Sequence, residues 1–190
     1  MDVLELLYDY FEDRAHATAL IRQRRPYALG LLGALIGATS LYFAQALAGQ
    51  LVILSFSWPA FLLALLWRTT LIFAAAAILH FLLDLSGARG DSGALFVHLG
   101  LAELAWTAAV PCVLIAQSLS AHSPWPVRLA ILGVGLWSLT LKARALRDEY
   151  GVGEARAWAT LVLPGLALAC LAALTTTLAV AAFVVKAFSS

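Results

Sequence analysis

Four ionisable side chains stand inside apolar stretches of this 190-residue chain: His80, Asp84, His98 and Glu103. Arg68 is a fifth, in an otherwise apolar run that begins at Ala60. Ionisable groups surrounded by hydrocarbon are costly, which makes each a functional candidate by default. His80 and Asp84 lie four residues apart and so share a helix face. Two histidines and a carboxylate can bind a transition metal or relay protons, so His80, Asp84 and His98 form the candidate metal set. The competing reading is packing glue: each group hydrogen-bonds a neighbouring helix, worth about 0.6 kcal/mol apiece. Glu103, five residues beyond His98, faces another direction and falls near mid-bilayer. It and Arg68 are the intramembrane polar candidates, and Glu103 is expected to be protonated or paired across helices.

These residues need a frame, and composition supplies one. The chain is 63% hydrophobic and 12% charged, where a soluble domain carries about 25% charged residues. A soluble chain this small cannot hide so much apolar surface, whereas a bilayer asks for roughly 20 apolar residues per helix. The expected fold is therefore an all-α integral membrane bundle of five transmembrane helices behind an N-terminal amphipathic interfacial helix. The spans fall at about 28–48, 60–86, 94–117, 128–146 and 157–186, after a cytoplasmic segment 1–27. An alternative makes 51–66 re-entrant and starts span two near Arg68; in the single-helix version Arg68 snorkels to the surface.

The N-terminal segment places Leu4, Leu7, Tyr8 and Phe11 at helical spacing against Asp2, Glu5, Asp9, Glu12 and Asp13. With so many acids no cleavable signal peptide is expected, and they favour docking onto the basic residues Lys142, Arg144 and Arg147 over docking onto anionic lipid. Nine basic residues (Arg14, Arg22, Arg24, Arg25, Arg89, Lys142, Arg144, Arg147, Arg156) share the N-terminal side, against Arg68, Arg128 and Lys186. That asymmetry puts the N-terminus in the cytoplasm and the C-terminus outside. A net charge of +1 gives no footing for nucleic acid. Cys112 and Cys170 sit in apolar runs as small packing residues, and no cofactor is expected. The partners implied are the lipid bilayer and a second copy or another membrane protein.

Gly90-Asp91-Ser92-Gly93 matches the GxSG of rhomboid-type intramembrane proteases, and Trp67-Arg68 resembles their Trp-Arg pair. Such a protease needs a later-span histidine to activate the serine. Only His122 follows His98, in a loop on the far side, so Ser92 is not expected to be a nucleophile. The 87–92 turn instead makes spans two and three antiparallel neighbours, and His80 and His98, about 10 and 8 Å inward, are expected to lie close together.

The layout from about residue 24 to 186 carries a likeness of its own. An Arg/Pro start leads into span one; span two ends in His80 and the Gly87–Gly90 turn; Pro111 lies in span three and Trp137 in span four. Ala143 to Arg156 forms a basic loop with Tyr150-Gly151-Val152 and Ala155, and Pro164 follows early in span five. In this order and spacing the chain resembles the Yip family of five-span membrane proteins, known in eukaryotes for association with Rab-type GTPases. It lacks the long N-terminal region credited with partner binding there, and its compact Ala/Leu/Arg-rich form is similar to the bacterial branch. The resemblance implies a non-enzymatic scaffold or membrane-organising protein of the bacterial inner membrane. The rivals are a small permease or ion-binding protein using the intramembrane His, Asp and Glu, and the protease.

Overall fold

The computed structural model describes residues 3–49, 57–119 and 123–189, and every regular element among them is helical. Two short helices come first, α1 (Val3–Glu12) and α2 (Arg14–Arg24). They part at Asp13, whose carboxylate accepts the His16 N–H at 3.2 Å and caps α2. The buried stripe is Leu6, Tyr10, Ala17 and Ile21, seated on Ala94, Val97 and Leu101. Tyr8 and Phe11, expected on the inner face, are exposed. Leu6 and Tyr10, and then Ala17 and Ile21, are each spaced by four, so the break at Asp13 keeps one stripe facing the bundle. The outer aromatics suit the membrane–water boundary.

Five long helices follow: α3 (Tyr27–Leu47), α4 (Trp58–Leu85), a third running Ser92–Leu119, α7 (Trp125–Tyr150) and α8 (Glu154–Ser189). Each is long and apolar enough to cross a bilayer, and the chain is a multi-pass membrane protein. α4 is unbroken from Trp58, capped by Ser57 with Pro59 in its first turn; residues 50–56, which the re-entrant alternative invokes, lie outside the described residues. Arg68 does not snorkel. It stands ten residues inside α4, about 15 Å from the helix end, and turns into the bundle.

The third long helix is α5 (Ser92–Ala102), a 3-10 stretch (Glu103–Ala108) and α6 (Ala109–Leu119). Pro111 has no N–H to give the Thr107 carbonyl, and the tightened stretch lies directly upstream of it. α3 crosses this helix at its glycines. A Cβ on Gly33 would stand 2.6 Å from the Gly100 carbonyl oxygen, and one on Gly37 would overlap the Glu103 carbonyl. The GxxxG pair is thus consumed within the chain, backbone against backbone.

α7 runs one turn further than span four was expected to, taking in Arg147, Asp148, Glu149 and Tyr150. It stops at Gly151, whose φ of 62° is the left-handed conformation that ends helices. Among the described residues, α8 packs against α4 and α7 through its first turns, at Ala157 and Leu161. From Gly165 to Val180 every residue is exposed, Cys170 among them, as befits a helix solvated by lipid.

Candidate functional site

One end of the bundle gathers α2, the α4–α5 turn and the end of α7 around Glu149, a fully buried carboxylate. Arg22 Nε donates to both its oxygens at 3.1 Å, and the Asp91 N–H donates to Oε1 at 3.1 Å. Arg22 also donates through Nη2 to the Glu149 backbone carbonyl, one of the last-turn groups of α7 with no helical partner. A cation at that end also opposes the helix dipole. His98 Nε2 lies 3.8 Å from Glu149 Oε2. Tyr10 of α1 donates its hydroxyl to the His98 carbonyl at 3.0 Å and lays its ring beside the imidazole, centroids 5.9 Å apart. Arg25 pairs with Asp91, which caps α5 through the Ala94 N–H at 2.9 Å. Arg156 donates to the Ser86 carbonyl at 2.6 Å. The N-terminal helices and both turns are thereby tied into one plate.

A second polar cluster sits mid-bundle. Glu103, buried, pairs with Lys142 of α7, and Arg68 of α4 stands 4.0 Å from its other oxygen. Neither Arg68 Nη2 nor Glu103 Oε2 forms a hydrogen bond among the described residues. Arg68 lies 5.7 Å from the Trp106 ring centroid, a cation–π contact. Ser138 donates to the Ala102 carbonyl at 3.4 Å where the 3-10 stretch begins. Pairing across helices, expected for Glu103, is what the structure has.

No family model, curated protein or solved structure matches this chain. Its chemistry must therefore be read from its own side chains.

His80, Asp84 and His98 each have separate surroundings. His80 Nδ1 meets the Tyr150 hydroxyl at 2.7 Å, Asp84 is exposed, and His98 faces Tyr10 and Glu149. The two histidines thus address adjacent residues of α7, which point about 100° apart. Among the described residues no three His, Cys, Asp or Glu side chains are placed to hold a metal ion. The glycines of the Gly90-Asp91-Ser92-Gly93 motif are spent on packing. A Cβ on Gly90 would stand 2.5 Å from the Tyr150 ring, and one on Gly93 2.5 Å from the Tyr27 hydroxyl. Ser92 is exposed at the start of α5; His122 lies outside the described residues.

Among the described residues, the docking expected from the acidic N-terminus has the reverse polarity. Asp9 turns to His16 at 2.8 Å, Lys142 is taken by Glu103, Arg147 pairs with Asp148, and Arg144 is exposed. A base of the N-terminal segment, Arg22, instead reaches an acid of α7. This asymmetry sets a mutational order. Arg22→Ala leaves the Glu149 carboxylate buried with one backbone donor, and is expected to cost about 2–3 kcal/mol. Glu149→Gln keeps the acceptor for Asp91 and frees a half-exposed arginine to water, and is expected to cost below about 1 kcal/mol. Thermal unfolding of both variants in detergent checks the order; equal losses would refute it.

Proposed function

We propose that this membrane protein is a non-catalytic scaffold of the Yip type, presenting a fixed plate at the cytoplasmic end of its five helices. The observation that carries this reading is the Arg22–Glu149–Asp91 lock. It spends a buried carboxylate, two backbone groups and an arginine on holding α2 and the α4–α5 turn to α7, and leaves none of them aimed at a substrate. The ordered likeness of the spans and turns to Yip proteins supports the same conclusion. Charge asymmetry supports an inside N-terminus: with Lys142 and Arg68 removed from the count as bundle residues, eight bases against two remain.

Reporter fusions at Ser190 and at Gly153 are expected to report opposite sides, with Gly153 cytoplasmic. In-cell crosslinking from Arg144 or Arg147, exposed on that plate, is expected to yield a defined set of membrane-protein adducts, and Arg22→Ala to reduce them several-fold. A cytoplasmic Ser190, or adducts no different from those of an unrelated five-span control, defeats the reading. A small permease built on Glu103, Lys142 and Arg68 is the second reading, favoured by the cost of burying three charges mid-bundle. Ion flux in proteoliposomes abolished by Glu103→Gln would establish it.

A further inference from the structure

A crevice of about 370 Å³ opens between α3, α4 and α5 at the plate end of the bundle. Its walls are Phe73, Ala76 and Ala77 of α4 and Phe96 of α5; its rim carries Tyr27 and Ser92. Four residues separate Phe73 from Ala77, and four separate Ser92 from Phe96, so the walls run about 6 Å along each helix. Phe73, Ala77 and Ser92 are exposed and Tyr27 is half-exposed, while Ala76 is buried at the floor. The opening therefore faces outward, toward the bilayer. Gly93 keeps the rim open, because a side chain there would collide with the Tyr27 hydroxyl. Polarity is graded: hydroxyls at the level of the plate, phenyl and methyl groups below.

Charge completes the description. Arg25 is occupied by Asp91. Arg24 lies three residues before Tyr27, and Arg89 three before Ser92. Both are exposed, and neither has a hydrogen bond or ion pair among the described residues. Among the described residues the first-turn N–H groups of Ser92 and Gly93 likewise have no acceptor, since the Asp91 cap serves Ala94 and the Asp91 carbonyl serves Leu95. Apolar walls beneath uncommitted cations and N–H donors match one occupant, a chain-bearing anion.

We propose that this crevice binds one anionic phosphoglycerolipid, an acyl chain against Phe73, Ala76 and Phe96 and the phosphate at the rim flanked by Arg24 and Arg89. The chain's methylene groups replace a void that lipid must otherwise fill loosely. The headgroup charge gives Arg24 and Arg89 a counter-ion that none of the described residues supplies. Each such base near an anionic headgroup raises affinity about fivefold, so the pair favours an anionic over a zwitterionic headgroup by roughly 25-fold.

The test is native mass spectrometry of the full chain in detergent, titrated with palmitoyl-oleoyl phosphatidylglycerol or with the matching phosphatidylcholine. The wild type is expected to retain one phosphatidylglycerol with roughly 25-fold preference. Arg24→Gln with Arg89→Gln is expected to bring that preference near parity while leaving the protein monodisperse. Ala77→Phe, at an exposed position, fills the crevice and is expected to lower retention of both lipids at least fivefold. Glycerol 3-phosphate, which has the anion and no chain, is expected not to compete. Equal retention of the two lipids by the wild type, a preference that survives the double arginine variant, undiminished retention by Ala77→Phe, or displacement by glycerol 3-phosphate overturns the proposal.

Discussion

Replacing Lys142 by methionine is expected to destabilise the protein by about 3–5 kcal/mol, the usual cost of stranding one partner of a buried ion pair. Glu103 is 1% exposed, and its remaining neighbour, Arg68, stands 4.0 Å away without a hydrogen bond. Water cannot reach the stranded carboxylate, and hydrocarbon offers it no donor. The double variant Lys142→Met, Glu103→Gln should recover most of the loss, because no anion is then buried. Arg68 keeps its contact with Trp106 and a side chain that is one-third exposed. Denaturant titrations of the two variants in mixed micelles measure the difference. A Lys142→Met protein within about 1 kcal/mol of wild type would show that the pair is not stably charged.

Gly37→Leu is expected to be at least as damaging, about 3 kcal/mol or more, by a different route. The new side chain would overlap the Glu103 backbone carbonyl, and backbone cannot rotate aside as a side chain can. α3 must then lift from the third long helix, opening the crossing in which Gly30 lies against Val97 and Gly33 against Gly100 and Leu101. Gly165→Ala is the control. Nothing stands within 4 Å of a Cβ there, so the change should be neutral or stabilise by up to about 1 kcal/mol through helix propensity. Thermal unfolding of both variants decides the matter, and a Gly37→Leu protein that melts with wild type would refute the close crossing.

The five long helices were legible because hydrocarbon length leaves a coarse, long signal of about 20 residues. The plate was not, and the reason lies in three short segments. Arg147-Asp148-Glu149-Tyr150 has the composition of a loop, yet it is the last turn of α7, because Arg22 neutralises Glu149 and Gly151 is the first residue suited to end the helix. Gly151 was the available clue. Lys142 reads as a surface base at the end of a span until a carboxylate on another helix is known to lie at its depth. Of the apolar spacing Leu4, Leu7, Tyr8 and Phe11 in α1, Leu7 packs partly buried against the inner stripe but Tyr8 and Phe11 face outward, and the buried pair is Leu6 and Tyr10; polar acids alternate too closely there for periodicity to choose a face. Tertiary partners decided all three, and spacing along one chain does not encode partners 39 or 127 residues away.

That last separation has a consequence for how the protein is made. Arg22 and Glu149 are 127 residues apart, which at about 5–20 residues per second is roughly 6–25 s of translation. The contact that seals the plate therefore cannot exist until four of the five long helices have left the ribosome. Meanwhile α1 and α2 are finished helices with an apolar stripe and no complete seat. Tyr8 and Phe11 already face outward, so the same segment has a second surface with which to rest on the membrane while it waits. Closure of the plate is then a late event in biogenesis, and a chain that ends before Glu149 has no carboxylate there for Arg22 to close on.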